Sequence, residues 1–393
     1  MKVKRLREDF VVHEVCDLPV RGGTYAVYRL QKVGLGTPEA VTEVLNIWNL
    51  PRENVQYAGL KDRHATTSQT VTIQHGPRDS IVQSGFSLTY VGQSHRSVTA
   101  ADIVGNQFDL TLRSLPESQA MNFAQQLLGT SAQTLCVPNY FDDQRFGSLG
   151  ESGQFIAPHW CLANYEQALF LAIAEAGPHD RPNDSEQKAI LREHWGQWQE
   201  CKDRLERSHR RSIVTYLCDH PTGFKKAVGL IRKDLRGIYV AAFQAKLWNE
   251  VVVRRLRQLL PNQTEFITAY GAGGKLLFPQ AVGAVEVERL STVNIPLPSG
   301  RKTEWAVEDA AALDQALEEF DMPRHKLRFS YPRDVFFSRG LRPLLLVPQN
   351  VQCAITADEL STGHEKKLTL SFQLRAGQYA TMLLKTLEML SAT

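Results

Sequence analysis

Two stretches of strand-type alternation stand near opposite ends of this chain, and they constrain its fold more than any other feature. In residues 106–113, Phe108, Leu110 and Leu112 alternate with Gln107, Asp109, Thr111 and Arg113, the period of a strand with one buried face. The same pattern returns in residues 368–374, where Leu368, Leu370, Phe372 and Leu374 are set against Thr369, Ser371 and Gln373, and Gly377 then opens a helix through residue 390. From about residue 164 the chain between them is mostly helical in texture. A half-apolar strand needs a sheet and a covering layer to hide its face, so both ends are expected to build one sheet, with the middle as an insertion.

The first third adds expected strands at 24–33, 55–59, 70–74 and 86–92. One helix is expected between them, with Thr37 as N-cap, Pro38 at the first helical position, and Val41, Val44, Leu45 and Trp48 at helical spacing. Residues 60–69 are left as a polar loop at a strand end. In the middle, helices are expected at 164–176, 185–211 and 240–259, and a short acidic one at 308–320. Residues 270–301 are strand-like and rich in Pro and Gly, so the insertion is mixed rather than purely helical.

Composition narrows the function classes. With 393 residues, 43% of them hydrophobic and 22% charged, the chain reads as an ordinary soluble protein of two or three domains. No apolar run approaches the ~20 residues that span a bilayer, and the charged start lacks a signal-peptide core, so a cytoplasmic protein without membrane contact is expected. The six cysteines, at 16, 136, 161, 201, 218 and 353, form no C-x-x-C pair and read as buried thiols. The eleven histidines form no H-E-x-x-H or H-x-E arrangement beside cysteines, which weighs against a zinc deaminase or protease. No metal and no cofactor are expected.

Net charge is only +3, so any nucleic-acid contact must come from local clusters. Three exist: Lys2, Lys4, Arg5 and Arg7; Arg204, Arg207, His209, Arg210 and Arg211; and Arg254, Arg255 and Arg257. Each taken alone is an ordinary solvated face. The loop around Lys61, Asp62, Arg63 and His64 gathers an acid, possible cations and several hydroxyls between strands. Loops on a rigid sheet often carry chemistry, though composition alone fits a solvated turn equally well.

The string A-G-L-K-D-R-H-A over residues 58–65 resembles the segment of TruD-type pseudouridine synthases that carries their aspartate, which falls on Asp62. Further stretches agree in order: K-R-L-R-E-D-F-V-V-H-E over 4–14, G-N-Q-F over 105–108, V-P-N-Y-F over 137–141 followed by Q-R-F-G over 144–147, and residues 372–381. Residues 236–255 are similar to the family's helical signature, whereas 183–211 and 273–318 show no such likeness. Cys136 stands where the family usually has Gly.

The resemblance implies a fold class of α+β: a pseudouridine-synthase-type mixed sheet from residues 1–137 and 338–393, and an inserted TRUD domain over 138–337. It implies isomerisation of uridine to pseudouridine in tRNA or other structured RNA, uridine 13 of the tRNA D arm foremost, by a monomer without a cofactor. Asp62 would be the catalytic carboxylate, with Lys4, Lys61 or Arg63 as the cation that keeps it ionised. Phe108 and Asn106 would wall the flipped base and bond its edge, and Phe10, Phe372 and Glu14 would line the same pocket. Phe108 stands where most other pseudouridine synthases have tyrosine, so the final deprotonation needs another group or water. Lys61, Arg63, Arg145, Arg204, Arg207, Arg210 and Arg211 would contact the RNA backbone, and Asn139 reads as a hinge or cleft position. Two other readings fit the residues: a non-catalytic RNA-binding or RNA-folding protein, and, far less well, a hydrolase using Asp62 with His64.

Overall fold

The two distant alternating segments lie side by side in the computed structural model, which describes residues 3, 5–63, 65–130, 134–178, 180–301 and 304–391. Phe108 sits opposite Phe372, Leu110 opposite Leu370 and Asn106 opposite Leu374. They belong to a nine-stranded sheet made of β1 (Phe10–Cys16), β2 (Tyr25–Val33), β3 (Val55–Tyr57), β4 (Thr66–Gln74), β5 (Ile81–Gln83), β6 (Phe86–Ser94), β7 (Ile103–Leu115), β8 (Gln349–Ala357) and β9 (Lys366–Arg375). The order is β8-β9-β7-β1-β4-β2-β6-β5, with β3 beside β4. The β1–β4 pair is parallel and the other pairs are antiparallel, so the sheet is mixed and the class is α+β.

Helix α1 (Thr37–Trp48) covers one half of a sheet face, where Ala40, Val41 and Val44 pack on Ala26, Tyr28, Leu30, Val71, Ile73 and Leu88. Helix α2 (Glu117–Leu128) packs against β8 and β9, and α3 (Ala380–Ser391) ends the described chain. The helix α1 begins one residue earlier than expected, with Gly36 as its N-cap. Thr37 is not available for capping, because its hydroxyl is engaged by Gln69 and by the Lys61 backbone. Strand β4 also starts earlier, at Thr66, which shortens the polar loop between β3 and β4.

This sheet and its helices form one unit, comprising Met1–Val137, Val282–Ala284 and Leu346–Thr393; the second comprises Pro138–Ala281 and Val285–Leu345. The second unit is organised on the long helix Lys233–Leu259, against which the helix Val307–Glu318 packs, with a hairpin of Phe266–Gly271 and Gly274–Pro279. The single helix expected over 185–211 is instead three, Pro182–Glu193, Trp198–Arg204 and His209–Asp219. Gly196, at φ 91°, breaks the first from the second, and the Ser208 hydroxyl accepts from Arg211 N to start the third. Asn139 lies in the interior of this unit, with Nδ2 donating to Pro343 O at 2.9 Å and Oδ1 accepting from Arg342 at 2.8 Å. The thiols are less buried than expected: Cys136 and Cys201 are enclosed, the other four are half-buried, and all six are free.

One buried charge ties the ends of the first unit together. Arg113 on β7 donates through Nε to both oxygens of Asp9, at 2.9 and 3.0 Å, and through Nη1 to Asp358 at 2.9 Å and Glu359 at 3.1 Å. Side-chain exposure is 4% for Arg113, 1% for Asp9 and 0% for Asp358. Burial alone would raise the Asp358 carboxyl, but hydrogen bonds from the Ser114 and Leu360 backbone and from Arg113 hold it below its ordinary value. Its contribution to stability is therefore complete above the unfolded carboxyl value of about 4 and fades as pH falls through the lower folded value. Arg113→Met would strand two carboxylates and should cost about 3–5 kcal/mol in urea unfolding at neutral pH. An unchanged urea midpoint would show that this network does not join the segments.

Candidate active site

Cross-strand partners project to the same side of a sheet, so the register defines one row of side chains. Lys32 on β2 pairs with Thr67 on β4, Thr67 with Val12 on β1, Val12 with Phe108 on β7, and Phe108 with Phe372 on β9. The row runs from a cation to aromatic rings. Phe108 stacks on Phe372 at 5.5 Å between centroids and 18° between planes, and Phe10 meets Phe108 edge-on at 6.3 Å. All three rings are enclosed. In the neighbouring row, Glu14 lies opposite Asn106.

The Asp62 loop is fastened to buried side chains. Gln69 Nε2 donates to Gly59 O at 3.0 Å, and Thr37 Oγ1 donates to Gln69 Oε1 at 2.7 Å while accepting from Lys61 N at 3.1 Å. Lys32 Nζ donates to Lys61 O at 3.2 Å and to Asp62 O at 2.9 Å. The Lys61 ammonium turns inward to Glu14 Oε2 at 2.9 Å and Asn106 Oδ1 at 2.7 Å, and Glu14 Oε1 accepts from Thr70 N at 2.9 Å. Arg63 turns the other way and pairs with Glu39 at 3.3 Å, both half exposed. Lys4 and His64 lie outside the described residues.

Lys32 is 1% exposed, and burial is the main reason its ammonium is lowered to about 8. The Asp62 and Glu39 carboxylates oppose that shift, and Lys61 adds to it. Asp62 therefore sits in the field of two lysines whose positions are fixed. Lys32 did not stand out in the sequence, although one signal was present: it continues the phase of Ala26, Tyr28 and Leu30, the buried face of its strand.

The arginines of the second unit are distributed over separate elements. Arg204 ends one helix and pairs with Glu200 at 2.6 Å; Arg210 lies 3.6 Å from Asp184; Arg211 Nε donates to Lys202 O at 2.8 Å; Arg207 is exposed in the turn between helices. Arg145 is exposed, places its guanidinium over the Phe141 ring at 5.5 Å, and lines a cavity of about 400 Å³ with Ser148, Lys188 and Tyr239. Among the described residues, no group of three or more His, Cys, Asp and Glu side chains could hold a metal ion, and no helix is long and apolar enough to cross a membrane.

Chemically, the first unit offers a half-buried carboxylate on a fastened loop, two cations, an amide at Asn106 and a stack of aromatic rings on one sheet face. The sequence profile of tRNA pseudouridine synthase D (TruD) matches residues 1–387. The Methanococcus maripaludis protein named "Probable tRNA pseudouridine synthase D 1" is 27% identical over 402 residues, with 98% of each chain covered. The tRNA pseudouridine synthase D of Aquifex aeolicus is 25% identical over 405 residues, again with 98% of each chain covered. A crystal structure described as that of the "Putative tRNA pseudouridine synthase D (TruD)" from Methanosarcina mazei superposes with a TM-score of 0.68 at 22% identity, covering 98% of this chain and 92% of that one, and so shares the fold. With its profile spanning almost the whole sequence, this chain belongs to the tRNA pseudouridine synthase D (TruD) family.

Proposed function

We propose that this protein converts uridine to pseudouridine at position 13 of tRNA, with Asp62 as the carboxylate that carries the reaction. The observation that supports it most is the fastening of the Asp62 loop by Lys32, Thr37 and Gln69 beside the row that contains Phe108 and Phe372. The reaction breaks the bond between N1 of uracil and C1′ of ribose, turns the base, joins C5 to C1′, and releases the proton from C5. An ionised carboxylate held in place can attack or stabilise the separated fragments. Phe108 supplies a wall for the flipped base, with Phe10 and Phe372 behind it. Because Asn106 Oδ1 already accepts from Lys61, its amide N–H groups are the part of the side chain left to donate to a uracil carbonyl. Glu14 acts one step back by orienting Lys61, whose inward ion pair suits positioning better than phosphate contact. On the resemblance of residues 4–14 alone, Lys4 is a further candidate for the cation that keeps Asp62 ionised, and the C5 proton leaves to water or to a group other than Phe108.

Contacts to the RNA backbone come from Arg63, Arg145, Arg204, Arg207, Arg210 and Arg211, which position the substrate without reading bases. Asp62→Asn should abolish pseudouridine formation in single-turnover assays while leaving tRNA affinity within about tenfold, since binding is spread over phosphates. Appreciable turnover by that variant would remove Asp62 from the chemistry. Replacing Arg204, Arg207, Arg210 and Arg211 with alanine should raise the tRNA dissociation constant several-fold and flatten its salt dependence, with single-turnover chemistry at saturation nearly unchanged. Phe108→Ala should do the reverse, losing a stacking wall worth about 1–3 kcal/mol in the bound reaction. If the arginine variant keeps the wild-type salt slope, those side chains serve only Glu200, Asp184 and the Lys202 carbonyl.

A further inference from the structure

We propose that Lys32 is a positioning residue for the reaction, clamping the backbone of Lys61 and Asp62 with its ammonium and holding the Asp62 carboxylate ionised through its charge. This inference rests on the reading of Asp62 as the catalytic carboxylate.

A lysine almost never lies wholly buried unless it is paired, because its charge loses hydration. Lys32 is 1% exposed, yet the direct partners of its Nζ are two neutral carbonyls, those of consecutive residues Lys61 and Asp62. Two donors from one ammonium to adjacent carbonyls fix the orientation of the peptide units that flank the Asp62 side chain. Carbonyls alone do not neutralise the charge. Among the described residues, the charged groups facing it are Asp62 and Lys61 on the loop and Glu39 on α1, the last shared with Arg63. Across the sheet Glu14 is committed to Lys61, and Arg7 lies against Gly34 just past the end of β2. The carboxylates draw the ammonium's proton affinity up and burial draws it down, to a value about 8. Thr67, directly opposite Lys32 on β4, is 2% exposed, and its Oγ1 has no hydrogen-bond partner among the described residues. The charged end of the row is thus more polar than packing alone would require.

The pH consequences have definite signs. A cation beside Asp62 favours the carboxylate, so removing the cation raises the Asp62 value and moves the acid limb of the rate profile to higher pH. Loss of the Lys32 proton near its value of about 8 weakens both the clamp and the field, which gives the wild type an alkaline limb there.

The test is the single-turnover rate at saturating tRNA between about pH 5 and pH 10, with tRNA affinity measured in parallel, for wild type, Lys32→Met, Thr37→Val and Asp62→Asn. Lys32→Met should lose at least about tenfold in rate with affinity within about threefold, shift the acid limb upward and lose the limb near pH 8. Thr37→Val removes a loop anchor but no charge, so it should slow the reaction with both limbs in place. A wild-type rate for Lys32→Met, or a slower one with neither limb moved, would overturn the inference and leave Lys32 a structural residue. Should Lys32→Met fail to bind tRNA, the wild-type profile decides, because a rate that stays flat through pH 8 contradicts the proposal without any variant. Activity in Asp62→Asn would instead overturn the reading of Asp62 itself, whereas an inactive Asp62→Asn beside an unaltered Lys32→Met would defeat the Lys32 inference alone.

Discussion

A carboxylate on a loop stays in one place only if the backbone beneath it is bonded to something rigid. In this protein those bonds come from Lys32, Thr37 and Gln69, all buried and each rooted in a strand or in the first turn of a helix. The constraint reaches outward from there. Thr37 cannot cap α1 because it serves the loop, so Gly36 takes the capping position. The parallel pairing of β1 with β4 places Val12 beside Thr67, which brings Lys32 and Phe108 into one row and sets Glu14 where it can reach both Lys61 and the Thr70 backbone.

The sheet tolerates two kinds of buried cation. Arg113 is surrounded by carboxylates that match its planar donors, and the three chain segments it joins give it a structural role. Lys32 has two carbonyls as direct partners and the Asp62 and Glu39 carboxylates in its field, so its charge is matched less directly than that of Arg113. Between the α1-covered half of the face and the Phe10, Phe108 and Phe372 stack lies a polar strip of Lys32, Thr67, Gln69 and Glu14. Burying such a strip is costly unless each group has a partner, and most of these do.

Much of this was legible in the sequence because it is periodic. The alternation of residues 106–113 and 368–374 identified two strands and the shared face of Asn106 and Phe108, and the family likeness placed Asp62, Phe10, Phe372 and Glu14 near that face. What stayed hidden was non-local. Arg113 finds Asp9 and Asp358 across 104 and 245 residues, a pairing no local pattern announces. Lys61 read either as a contact to the RNA backbone or as the cation beside Asp62, and its pairing with Glu14 and Asn106 could not be seen because those partners lie 47 and 45 residues away. Residues 185–211 read as one helix because charge is compatible with helical spacing throughout, although Gly196 and Ser208 carried the signals of a break and a new start.

The central claim is that this geometry performs isomerisation rather than RNA binding alone. Joining C5 of uracil to C1′ expels the hydrogen at C5, so a tRNA transcript labelled with tritium at uracil C5 reports the reaction directly. Purified protein incubated with excess transcript should release tritium to water over repeated turnovers, up to one uridine's worth per tRNA, and a transcript with cytidine at position 13 should release none. Tight binding of the transcript without any release of tritium would contradict the account.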